Sequence, residues 1–82
     1  MTKDQVFVEV QTIFKDVFDD GNLTVAAGTN AEDIEEWDSL EQINLIVAME
    51  NKFKIKFTID EVSQLNNVGE MVLLIKEKIE YE

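Results

Sequence analysis

The 82-residue sequence predicts an all-α fold with three main helices, a short helix third in order, and a long loop between the first and second. Two observations predict it. Apolar residues recur at spacings of three and four in three separate stretches, the signature of helices burying one face. The absence of proline suits helices but identifies nothing. The only strand-like alternation, Lys54-Ile55-Lys56-Phe57, covers four residues and has no partner strand, so it cannot make a sheet.

In the first helix Val6, Val10, Ile13, Phe14, Val17 and Phe18 share an arc, with Phe7 at its edge. Asp20-Gly21-Asn22 is the stop signal, and a loop rich in Thr, Ala, Gly and Asn follows. Loops of this length are usually anchored or functional, and Leu23, Val25, Ile34 and Trp37 are the candidate anchors. A second helix begins at Asp38 or Ser39, where Asp38-x-x-Glu41 has capping-box spacing, and runs to about Phe53. The Lys54 to Phe57 segment is read as a connector into a short third helix near Asp60 to Leu65. After the Asn66-Asn67 break, Val68, Met71, Val72, Ile75 and Ile79 repeat at helical spacing and form the last helix. Residues 1–82 therefore make one domain with a modest core.

Composition removes several functions. Cysteine is absent, so the chain supplies no disulfide, thiolate metal site or thiol nucleophile of its own. Histidine is absent too, which excludes a Ser-His-Asp triad, imidazole acid–base chemistry and imidazole zinc ligands. The opening Met1-Thr2-Lys3-Asp4 has no signal-like character, and no apolar run approaches the roughly 20 residues that span a bilayer. A soluble, cytoplasmic protein without membrane insertion is expected. Its net charge of −11 repels nucleic acid and favours basic partners. Between Asp16 and Asn51 there are ten carboxylates and no lysine, so the acidity is concentrated on the loop and the helix that follows it.

That acidic stretch leads into Trp37-Asp38-Ser39-Leu40, which places a serine hydroxyl at a helix start. Backbone N–H groups are unpaired there and the helix dipole is positive, so a phosphodiester on Ser39 would be electrostatically favoured. The plainer alternative is that Asp38 or Ser39 only caps the helix.

Asp38-Ser39-Leu40 resembles the hallmark of acyl carrier proteins, in which the serine at the start of the second helix carries 4′-phosphopantetheine. The resemblance extends through Asp38 to Phe53, with Ala48-Met49-Glu50 and Phe53, then Ile55-Lys56-Phe57, Asp60-Glu61 and Val68-Gly69. It implies a right-turning four-helix bundle whose interior shelters an acyl chain. It also implies a non-catalytic carrier whose cofactor sulfur holds acyl groups as thioesters. The implied partners are a phosphopantetheinyl transferase and enzymes of fatty acid, polyketide or related biosynthesis with basic docking surfaces. Asp38 and Leu40 would help these enzymes position the arm, and the carrier is expected to be a monomer.

The sequence departs from the fatty-acid-synthesis members, which have acidic residues late in the second helix and beyond it. Here Asn51, Lys52, Lys54 and Lys56 intervene, and Asn44 stands where a glutamate is usual. Trp37 before Asp38 looks more like discrete carriers of specialised pathways. Glu36-Trp37 does not match the Gly-Gly of peptidyl carriers.

At about 100° per residue, Leu45, Ile46, Met49 and Phe53 form the core arc of the second helix. Leu40 and Val47 lie nearly opposite, with Ile43 at their edge and Glu41 and Glu50 beside them. An apolar centre with an acidic rim suits docking of a partner that is apolar in the middle and basic around it. Two other classes compete. A calcium loop at residues 16–27 fails because Phe18 and Ala27 occupy required ligand positions. A cofactor-free acidic adaptor binding basic proteins through the same helix needs every feature except a reactive Ser39.

Overall fold

A computed structural model describes residues 2–80. Its elements are α1 (Lys3–Val17), α2 (Ser39–Phe53), α3 (Ile59–Ser63) and α4 (Val68–Glu80), with no strand among the described residues. The all-helical order is the one the periodicity predicts. α1 packs against both α2 and α4. Phe14, Leu45, Met49, Met71 and Ile75 are almost fully buried at the centre, and no charged side chain among the described residues is buried with them.

The helix ends differ from the expectation in ways that local hydrogen bonding explains. Thr2 caps α1 in a reciprocal box with Gln5. α1 stops earlier than Gly21: Asp19 takes a left-handed conformation (φ 51°), and the N–H groups of Asp19 and Asp20 donate to the carbonyls of Asp16 and Lys15. That pattern is a Schellman closure. α3 begins at Ile59, ahead of the expected Asp60, because Thr58 and Glu61 form a second capping box. It also ends before Leu65, at Ser63.

The loop between α1 and α2 is held tightly. Val25, Ile34 and Trp37 are buried, and Leu23 packs partly against the core. The Trp37 ring meets Phe14 edge-on, with centroids 5.2 Å apart. The loop also supplies acceptors to the start of α4: the N–H of Val68 donates to the Thr29 carbonyl (2.9 Å) and that of Gly69 to the Ala27 carbonyl (2.8 Å). A helix start leaves such donors orphaned, so the loop completes α4 as a cap from a distant part of the chain. Gly69 permits this approach, since a Cβ there would lie 3.0 Å from the Ala27 carbonyl oxygen and 3.2 Å from its methyl.

No helix among the described residues is long and apolar enough to cross a membrane.

Candidate functional site around Ser39

Ser39 is the first residue of α2 and is exposed. Two anchors fix its position. Asp38 is the N-cap, accepting at Oδ1 from the Glu41 backbone N–H (2.9 Å), while its carbonyl accepts from Gln42 N–H (2.9 Å). One residue earlier, Trp37 is buried and donates its indole N–H to Gln42 Oε1 at 2.7 Å. The indole and the first turn of α2 are thereby locked together, and Ser39 is held between a buried ring and a capped helix.

The expected capping box at this helix is only half formed. Asp38 plays its part, but Glu41 does not reach back to the cap; its Oε1 accepts from Asn44 Nδ2 at 2.8 Å instead. The sequence shows the right spacing, yet the Asp38 N–H that the box needs donates to the Glu36 carbonyl (3.0 Å), and Asn44 one turn on offers the carboxylate another donor.

The Ser39 hydroxyl makes no hydrogen bond with the described residues, so capping falls to Asp38. The N–H groups of Ser39 and Leu40 also have no partner among the described residues. These donors stand beside the hydroxyl at the positive end of a four-turn helix. An exposed hydroxyl with adjacent free donors fits attachment of an anionic phosphodiester.

Next to it lies an open cavity of about 430 Å³ lined by Trp37, Ser39, Gln42, Ile43, Leu65 and Asn66. A second groove, of about 350 Å³, runs between α2 and α3 and shares Gln42 and Ile43 with the first. Its walls are apolar, chiefly Ile43, Ile46, Val47, Phe57, Ile59 and Val62.

The α3 wall of that groove buries no residue and depends on polar ties. Glu61 Oε1 accepts from Thr58 N–H (2.8 Å) and from Lys78 Nζ on α4 (2.8 Å). Lys78 also stands 5.7 Å over the Phe57 ring. The Lys78 hydrogen bond, then the Thr58 N–H, holds the Glu61 carboxyl below its ordinary pKa. Spacing along the sequence gave no hint of the Lys78 contact, because Lys78 and Glu61 are on different helices.

The residues expected to meet partners occupy distinct environments. Leu40, Ile43 and Val47 are 65%, 59% and 48% exposed, whereas Leu45, Ile46 and Met49 are buried. Glu50 differs from the expectation of a free rim charge: it is half-buried, and its Oε2 accepts from the Phe57 backbone N–H at 2.9 Å. Its carboxylate pins the connector that leads to α3. The sequence reading also missed Gln42, Thr58, Glu61, Ile59 and Lys78. Of these only the Thr58-x-x-Glu61 capping spacing was visible beforehand.

With this geometry in view, comparison with known proteins defines the class. Residues 8–75 match the family described as phosphopantetheine attachment site. An acyl carrier protein of Petrotoga mobilis is 30% identical over 79 residues, covering 96% of this chain and 93% of the relative. One from Exiguobacterium sibiricum is 29% identical over 79 residues, covering 96% of this chain and all of the relative. The solution NMR structure of the holo acyl carrier protein from Geobacter metallireducens matches with a TM-score of 0.88 and 39% identity, over 93% of this chain and 87% of that one. The chain belongs to the acyl carrier protein family, and its prosthetic group is 4′-phosphopantetheine.

Proposed function

We propose that residues 1–82 form a single carrier domain that bears 4′-phosphopantetheine on Ser39 and presents acyl groups to partner enzymes of fatty acid, polyketide or related biosynthesis. The observation that carries this reading is the exposed, unpartnered Ser39 hydroxyl at the capped start of α2, within Asp38-Ser39-Leu40.

When attached, the arm supplies a thiol that holds the acyl group as a thioester, activated at the carbonyl and at the adjacent carbon. The chain's own residues do the positioning. Asp38 fixes the first turn through Glu41 N–H, and Trp37 with Gln42 keeps that turn against the core. Free N–H groups of Ser39 and Leu40 stabilise negative charge at the attachment point. The apolar groove between α2 and α3 offers shelter from water to a hydrocarbon chain. With neither histidine nor cysteine in the chain, the acyl chemistry belongs to its partners. Leu40, Ile43 and Val47 form the apolar centre on which a transferase and later enzymes dock, and Asp38 and Glu41 supply acidic rim charge. Glu50 contributes mainly by holding the connector. The lysines after α2 and Asn44 favour a specialised pathway over primary fatty acid synthesis.

The test is intact-mass spectrometry of the purified protein with and without a phosphopantetheinyl transferase and coenzyme A. A gain of one phosphopantetheinyl group, absent in Ser39→Ala, supports the reading. A folded chain that gains nothing under conditions that load another carrier favours the cofactor-free adaptor.

A further inference from the structure

Along α2 the exposed surface changes sign. Leu40, Asn44, Val47 and Asn51 are spaced by four, three and four residues, so they lie on one stripe, and all four are exposed. Before the stripe the loop carries Glu32, Asp33, Glu35 and Glu36, all exposed, followed by Asp38 at the cap. Beyond it come Lys54 and Lys56, also exposed, flanking Ile55, which is 2% exposed and points into the core. Lys54 takes a left-handed conformation (φ 59°) as the C-cap of α2. Neither lysine pairs with a carboxylate among the described residues, whereas Lys52 is bound to Glu9 at 2.9 Å. Glu50, four residues before Lys54, accepts from Phe57 N–H, and Asp60 follows Lys56 by four residues.

Fifteen residues of helix separate the two ends by about 20 Å at 1.5 Å per residue. Screening extends only about 8 Å at physiological salt, so a partner senses the two charge signs separately.

We infer that the α2 ridge is a two-signed docking surface. It fits a partner enzyme that sets cations against the acidic loop before Ser39, apolar side chains against Leu40, Ile43 and Val47, and carboxylates against Lys54 and Lys56. The enzyme class rests on the carrier reading above. A second copy of the chain is the other complementary occupant, since an antiparallel pairing would match opposite ends. The net charge of −11 on each copy opposes that pairing.

The probe is a synthetic amphipathic helical peptide with a lysine cluster at one end, leucines in the middle and a glutamate cluster about 20 Å away. It carries a nitroxide at the glutamate end and is added at physiological salt to the ¹⁵N-labelled chain, whose loading state is fixed beforehand by intact mass. The nitroxide is expected to broaden amide signals of residues 51–56 and spare residues 32–38. The variant Lys54→Glu/Lys56→Glu, verified as folded by circular dichroism, should lose that selectivity several-fold. Broadening of the loop in wild type, equal broadening at both ends, or no binding overturns the inference. A concentration-dependent dimer in sedimentation that the double variant abolishes assigns the ridge to a second copy and also overturns it. Failure of transferase loading bears on the carrier reading alone, because peptide orientation is measured whatever the loading state.

Discussion

The loop before Ser39 and the helix after it treat their apolar residues in opposite ways. Val25, Ile34 and Trp37 are buried in the core although they belong to no helix. Leu40, Ile43 and Val47 lie on a regular helix and remain open to solvent. Loops usually carry function on a rigid scaffold. Here the loop is part of the scaffold, packed under Ser39 and capping α4, while the helix leaves an apolar face open to solvent. The same difference explains why Ser39 can be both exposed and well placed: its support comes from the residues behind it.

If that contrast is right, substitutions in the loop should cost stability, and substitutions on the open face should cost binding. The largest effect is expected for Trp37→Ala. Truncating this ring removes its edge-on contact with Phe14 and leaves Gln42 without its donor, for a loss of about 3–5 kcal/mol. Urea unfolding followed by circular dichroism measures it, and a loss of under about 1 kcal/mol would mean the loop is not structural.

A smaller loss, about 1–3 kcal/mol, is expected for Gly69→Val, whose side chain enters the space taken by the Ala27 carbonyl and methyl. Hydrogen exchange should show the Val68 and Gly69 amides losing protection as the loop lifts away. Retained protection at both amides would show that the loop does not close α4.

On the open face, Val47→Asp should change stability by no more than about 0.5 kcal/mol. It should nonetheless slow loading by a phosphopantetheinyl transferase, by placing an unpaired charge in an apolar contact. Normal loading kinetics in the folded variant would remove this face from docking.

The smallest effect concerns the α3 wall. Because Lys78 holds the Glu61 carboxyl below its usual pKa, the pair stabilises the fold above the ordinary carboxylate range and loses that contribution as pH falls through the lowered value. Glu61→Gln should therefore melt below wild type at neutral pH, with the gap closing in acid. Relief of repulsion among the other carboxylates is common to both proteins and cancels in the difference. A gap independent of pH would show that the ion pair contributes nothing.

The sequence made the three long helices and the buried faces of α1, α2 and α4 legible, because apolar periodicity is a local signal. It also singled out Ser39, through the Asp38-Ser39-Leu40 resemblance, and the outward placement of Leu40, Ile43 and Val47 followed from helix angle alone. Chain reversals were harder to read. Gly21 looked like the stop, but Asp19 adopts the left-handed conformation because aspartate tolerates it. Contacts between distant segments were invisible: Lys78 with Glu61, and the loop carbonyls that cap α4. Glu50 illustrates the limit well. Its charge and helix position suggested a rim residue, and only the path of the connector reveals Phe57 N–H as its partner.

The central claim is that Ser39 is where the prosthetic group is attached, and comparing Ser39→Ala with wild type tests it most directly. Both are incubated with a phosphopantetheinyl transferase and coenzyme A, weighed intact, and checked by circular dichroism. Ser39 is exposed and its hydroxyl has no partner among the described residues, so the variant should keep the wild-type fold. Wild type should gain one phosphopantetheinyl group and Ser39→Ala none, whereas a folded alanine variant that still gains the group would contradict the account.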